Sequence, residues 1–201
     1  MEHLVESMQA NGALRTPELI SAFRDVDRTD FLPQDQIPLA GRDRPLPIGQ
    51  GQTNSQPSTV AFTLEMLQPQ AGDRILDVGS GSGWTTALLA HVVGEAGYVY
   101  GVERVDGLVE FGRRNLDAYN FANAEITSAG DSFGLLRKAP FDKILVSASA
   151  ETIPGELVDQ IAPGGRMVIS VGNSLMCVEK SATGEIDTRE YPGFVFVPLK
   201  R

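Results

Sequence analysis

Ile75-Leu-Asp-Val-Gly-Ser-Gly-Ser-Gly83 reads as a buried strand running into a glycine-dense turn, and the next apolar run, Tyr98-Val-Tyr-Gly-Val-Glu103, ends on an acidic residue. Glycines in such a turn let backbone approach a ligand closely, and a carboxylate roughly 20 residues on can accept hydrogen bonds from ribose hydroxyls. The two features together predict an adenosine-bearing cofactor. Its candidate contacts are Asp77, Gly79, Ser80, Gly81, Gly83, Glu103 and Arg104. The same turn also serves as a tight strand-to-helix connection that holds nothing.

The glycine spacing narrows the cofactor. Gly79, Gly81 and Gly83 form G-x-G-x-G, whereas a dinucleotide fingerprint needs G-x-G-x-x-G so that a helix N-terminus can meet a pyrophosphate. Trp84 stands where that third glycine would fall. A bulky indole suits a cofactor without a pyrophosphate, and S-adenosylmethionine has none.

From Asp73 onward apolar strands alternate with helical stretches, which argues for a mainly parallel sheet with helices on both faces. Strands are predicted over Arg74 to Val78, Tyr98 to Glu103, Ala124 to Ser128, Lys143 to Ser147 and Met167 to Val171. Helices are predicted over Thr85 to Val93, Gly107 to Tyr119 and Ile153 to Ile161. Leu175 to Lys180 and Phe194 to Leu199 read as a closing antiparallel pair joined by the polar Ser181 to Glu190. The fold class expected is α/β, a seven-stranded mixed sheet with antiparallel closing strands.

Ahead of this core, Thr16-Pro-Glu opens a helical pattern that runs to about Ala40, with Leu19, Ile20 and Phe23 on one side. Pro33 to Pro57 is too rich in Pro, Gly and Gln for a regular element, and long loops of this kind are usually functional or disordered. One domain over 1–201 is expected. Residues 1–57 would form an N-terminal helical segment and binding loop, 58–172 the cofactor-binding core, and 173–201 a closing hairpin.

A formal charge of -9, from 17 Lys and Arg against 26 Asp and Glu, disfavours nucleic acid, which needs a basic surface. Arg113-Arg114 and Arg42-Asp-Arg44 are too short to change that. No run approaches a membrane span, and Met1-Glu-His-Leu-Val-Glu6 lacks the basic start and apolar core of a signal peptide, so a cytoplasmic location is expected; the chain is also expected to be a monomer. Cys177 is the single cysteine and reads as a buried apolar filler; His3 and His91 stand apart from any ligand cluster, so no metal is expected.

The chain as a whole resembles the protein-L-isoaspartate (D-aspartate) O-methyltransferase family. Carrying the resemblance are Arg15-Thr-Pro-Glu-Leu-Ile-Ser-Ala-Phe23, Asp30-Phe-Leu-Pro33, Pro45-Leu-Pro-Ile-Gly49, Gly51-Gln-Thr-Asn-Ser-Gln-Pro57, the Gly79 loop, Val102-Glu-Arg104, Ala139-Pro-Phe-Asp142, Pro163-Gly-Gly-Arg166 and Phe196-Val-Pro-Leu199. The glycine loop alone is generic to methyltransferases, and Pro45 to Pro57 is far more specific. The resemblance implies methylation of the α-carboxylate of an isoaspartyl residue in damaged proteins and peptides. The ester then collapses to a succinimide whose hydrolysis regenerates some normal aspartate.

By the same resemblance Ser55 is the active-site serine that contacts the substrate carboxylate, a role its hydroxyl can fill by donating to one carboxylate oxygen. A turn-capping serine before Pro57 is the plainer reading. Gln52, Thr53 and Asn54 would line the cofactor's amino-acid end, and Gly130-Asp131-Ser132 would place backbone and a carboxylate near adenine, unless that stretch is only a turn or helix cap.

Four departures bear on substrate identity more than on cofactor binding. Ser58 stands where relatives often carry histidine or an aromatic residue, Ser132 replaces a glycine, Glu151 replaces a common proline, and the sequence stops soon after Phe-Val-Pro-Leu, which would leave out a C-terminal arm. Two rivals follow: a methyltransferase of the same scaffold acting on another acceptor, and a catalytically silent binding module.

Overall fold

The computed structural model describes residues 2–200. The N-terminal part holds helices α1 (Glu2–Ala10) and α2 (Pro17–Asp25), two single 3-10 turns at Arg28–Phe31 and Ile37–Leu39, a hairpin of β1 (Leu46–Gly49) and β2 (Gln52–Asn54), and helix α3 (Pro57–Leu67). Proline at its first position and Glu18 in its first turn favour α2, as predicted. Its start is tied to α3, because Glu65 accepts hydrogen bonds from the Arg15 and Thr16 amides and the Thr16 hydroxyl.

The helix stops at Asp25 rather than running to Ala40, and the segment expected to be irregular contains the antiparallel β1–β2 pair. The hairpin closes through Gly49, Gln50 and Gly51, all with positive φ, a backbone path that two glycines make accessible.

The α/β core follows with β3 (Arg74–Val78), α4 (Trp84–Val93), β4 (Tyr98–Glu103), α5 (Asp106–Tyr119), β5 (Ala124–Ser128), β6 (Phe141–Ala150), the short α6 (Gly155–Val158), β7 (Ile161–Val171), β8 (Ser174–Lys180) and β9 (Ile186–Pro192). Seven strands form one sheet in the order β5-β4-β3-β6-β7-β8-β9. The first five are parallel, and β8 and β9 close the sheet antiparallel. The mixed sheet expected from the alternating pattern is therefore present. Chain direction across the sheet reverses between β3 and β6, the kind of switch point where α/β sheets open a crevice at their carboxyl ends.

Two expectations are corrected. The returning strand of the closing pair is the polar Ile186–Pro192, not Phe194 to Leu199. An edge strand gains its hydrogen bonds from one neighbour and leaves its side chains in water, so it needs no apolar alternation. Phe194 and Phe196 pack instead against the core, where Phe62 of α3 stacks on Phe194 at 5.1 Å. Beyond them the Ser149 amide donates to Val197 O (2.7 Å) and the Leu199 amide to Ser149 O (2.8 Å), which straps the tail along the end of β6.

Helices lie on both faces, as expected, but unevenly, and the second correction concerns the extent of the last one. Ile75, Val99, Ile126, Leu145 and Val168 face a core built with residues of α1 to α5. The opposite face, with Leu76, Val78, Tyr100, Ile144, Val146, Met167 and Ile169, is covered by α6 and the 133–141 connection. The predicted helix over Ile153 to Ile161 shrinks to Gly155–Val158. Cys177 is buried on β8, and that burial pushes its thiol above the ordinary range. Among the described residues no helix is long and apolar enough to cross a membrane.

Candidate active site

Strand register sets the site. Val78 pairs with Val102 on one side and with Val146 on the other, and Glu103 pairs with Ser128, so β3, β4 and β5 end nearly level beside β6, which runs on to Ala150. At that edge the chain leaves β3 through Gly79, Gly81 and Gly83, all with positive φ. Gly83 opens α4, where an added Cβ would meet Ile126 Cδ1 at 3.0 Å and the Gly112 carbonyl at 3.2 Å. Backbone strain and overpacking then combine, so Gly83→Ala is expected to cost about 1–3 kcal/mol, read as a lower midpoint in chemical denaturation.

Glu103 is buried and its carboxylate is fixed from both sides. Oε2 accepts the Gly81 amide at 3.0 Å and Oε1 the Val105 amide at 2.9 Å. Each oxygen keeps a second acceptor site, and Glu103 lines a cavity of about 290 Å³ that runs across the strand ends. A cis-diol is the group this geometry suits.

Asp77 lies at full burial one layer below the loop. Its Oδ2 accepts the Thr85 and Thr86 hydroxyls, both at 2.7 Å, and its Oδ1 has no protein partner; Ser80 Oγ, at the cavity, is likewise buried and unpartnered. Burial raises the Asp77 pKa to about 6, against the hydroxyl bonds that pull it down. The unfolded chain releases this proton near 3.8, so the stabilisation carried by neutral Asp77 is full below that value and is lost as pH rises through about 6. Asp77→Asn keeps an acceptor for both threonines and is expected to flatten that fall in thermal melts run from acid to neutral pH.

Most candidates from the sequence meet here. Gln52, Thr53, Asn54, Ser55, Gly79, Ser80, Gly81, Glu103, Arg104, Gly130 and Ser132 all line the cavity, whereas Gly83 caps α4 without lining it. Asp77 supports it from below, and Asp131 is exposed beside it without lining it. Trp84 is nearly fully buried, edge-on to Phe23 at 5.5 Å, so the residue that breaks the dinucleotide pattern fastens α2 to α4.

The sequence reading missed two walls. Ser147 and Ala148 at the end of β6 contribute one, and Val197, Pro198, Leu199 and Lys200 of the strapped tail contribute the other. Phe196-Val-Pro-Leu199 carried part of the family resemblance, but its apolar run suggested a strand rather than a cavity wall.

A glycine loop at the switch point of a parallel sheet, a buried carboxylate on the neighbouring strand and a cavity between them define a Rossmann-like S-adenosylmethionine-dependent methyltransferase fold. The model of the protein-L-isoaspartate (D-aspartate) O-methyltransferase family matches residues 1–201, and the chain belongs to that family. It is similar to the protein-L-isoaspartate O-methyltransferases of Aeropyrum pernix, 41% identical over 98% of this chain and 77% of the relative, and of Methanopyrus kandleri, 41% identical over 98% and 90%. A Plasmodium falciparum chain assigned as a protein-L-isoaspartate O-methyltransferase, solved in complex with S-adenosyl-L-homocysteine, superposes with a TM-score of 0.86 at 27% identity, covering 98% of this chain and 97% of that one.

Proposed function

We propose that this chain is an enzyme that transfers a methyl group from S-adenosylmethionine to the α-carboxylate of L-isoaspartyl residues in damaged proteins and peptides, initiating repair through a succinimide. The observation that carries this reading is that Ser55 and the Gly79–Glu103 cofactor constellation line one cavity in a chain of this family. When bound, the cofactor supplies a sulfonium methyl open to in-line displacement. The residues suited to hold it are Glu103 for the ribose diol, the Gly79–Gly83 backbone, and Gln52 and Thr53 toward its amino-acid end, with Gly130 and Ser132 lining the remaining wall.

A carboxylate acceptor is already ionised at neutral pH, so the chain needs no general base and mainly orients the acceptor and excludes water. In this reading the Ser55 hydroxyl, on the cavity wall, donates to one acceptor oxygen and leaves the other free to attack. We take the enzyme to act as a cytoplasmic monomer, and to have no nucleic-acid partner, the last supported by its net charge of -9. The test is incubation with methyl-labelled S-adenosylmethionine and two peptides that differ only in one aspartyl or isoaspartyl linkage. Base-labile ester on the isoaspartyl peptide alone is expected; ester on neither, with cofactor bound, would move the reading to another acceptor.

A further inference from the structure

Arg28 lies just after α2, is completely buried, and is the largest charged side chain in the interior among the described residues. Its guanidinium spends all its donors on the segment that carries Ser55. Nε donates to Asn54 Oδ1 (2.8 Å), Nη1 to Ala40 O (3.1 Å) and Arg42 O (3.0 Å), and Nη2 to Arg44 O (2.9 Å), Ser55 O (2.9 Å) and Asn54 O (3.3 Å). Its carbon lies 5.5 Å from the centre of the Trp84 ring, which itself donates to Val26 O. Burial lowers its pKa to about 10 while Asp43 pulls it back, so it remains charged at neutral pH.

Taking a full charge out of water is costly unless every donor is satisfied, and here a planar fork binds carbonyls from four separate points of one loop. Besides Arg28, the loop is held by the β1–β2 pairing, by Asp43, which accepts from the Ser58 amide (2.9 Å) and the Gln56 side chain (3.1 Å), and by Ala40, Leu46 and Ile48, which pack with Leu32 and Leu108. Asn54 adds a bridge to the glycine loop by donating from Nδ2 to Ser82 Oγ at 3.2 Å. Asn54, expected to contact the cofactor, thus has both ends of its amide engaged by Arg28 and Ser82.

Resting on the methyltransferase reading above, we propose that Arg28 is a positioning residue for methyl transfer. It clamps residues 40–55 against α4 so that Ser55 is held in register with the cofactor loop, without touching either substrate. Glu103 and the Gly79 turn are anchored mainly by β3 and β4, so in Arg28 variants the loss falls more on acceptor positioning than on donor binding.

Lysine has a charge but only three donors on one point, and cannot span the four sites. Arg28→Lys is therefore expected to lower turnover per S-adenosylhomocysteine-titrated site by roughly 10- to 100-fold, the range that a small misplacement of reacting groups produces. Affinity for S-adenosylhomocysteine falls far less than turnover, because only Gln52 and Thr53 of its proposed contacts lie in the clamped segment, and amide hydrogen exchange accelerates over 40–56 more than over 74–103. A purely structural role would lower the melting temperature and the titrated fraction while leaving turnover per site and loop exchange as they are, and that result overturns the proposal. Should Arg28→Lys not fold, Asn54→Ala carries the turnover-per-site and 40–56 exchange readouts, with a smaller loss in the same direction and the same overturning result. If the unaltered enzyme methylates no isoaspartyl peptide, the functional reading fails, and unchanged exchange over 40–56 would still reject the clamp.

Discussion

Ser55→Ala is expected to lower methyl transfer to an isoaspartyl peptide by about 100-fold while leaving S-adenosylhomocysteine affinity unchanged, the size of effect seen when one preorganised donor to a reacting oxygen is removed. The residue sits between β2 and α3, half-buried on the cavity wall, with its carbonyl held by Arg28 at 2.9 Å. Its backbone is fixed and its hydroxyl has no assigned protein partner, which leaves the hydroxyl available to an acceptor.

The direction of the effect follows from the chemistry. An ionised carboxylate has two equivalent oxygens, and a donor bound to one fixes the plane in which the other presents its lone pair. Removing the donor leaves the nucleophile no less basic but unaligned, so the loss falls on turnover and on acceptor KM rather than on the donor site. Steady-state rates with a labelled methyl donor, beside a direct titration of S-adenosylhomocysteine, separate the two. Unchanged turnover in the Ser55→Ala enzyme would remove this side chain from the mechanism.

The cofactor half of the site was legible because its determinants are local. The apolar runs at Ile75 and Tyr98 set two parallel strands, and once Val78 is level with Val102, Glu103 has to stand beside the glycine turn. Helix α3 was not legible, since Pro57, Val60, Ala61, Thr63, Leu64 and Leu67 are all buried and blur the one-sided pattern that announces a surface helix. The tail misled for the opposite reason: β9 takes its place through backbone bonds to β8 with exposed side chains, while the apolar run after it packs without being a strand. Arg28 gave no signal at all. A buried arginine beside Asp27 looks like any charged pair until the carbonyls from Ala40 to Ser55 are brought around it. Gly130 and Ser132 line the cavity with Asp131 exposed between them, and contact with adenine is the role we propose for that carboxylate.

Glu103→Ala is expected to weaken S-adenosylhomocysteine binding by about 1.5–3 kcal/mol, roughly 10- to 150-fold in dissociation constant, the value of hydrogen bonds to a charged group. The substitution also leaves the Gly81 and Val105 amides without their acceptor, so part of the loss would come from a loosened turn. Glu103→Gln distinguishes the two contributions. Its amide oxygen can still accept one of those amides, but its NH2 would face a second backbone donor, and the negative charge offered to the diol is gone. If charge toward the ribose dominates, the Gln variant loses nearly as much affinity as Ala while retaining more stability. If Glu103 serves only to order the turn, affinity should instead follow stability through the series. Calorimetric titration set against denaturation of the three proteins decides between them, and wild-type affinity in both variants would contradict the ribose assignment.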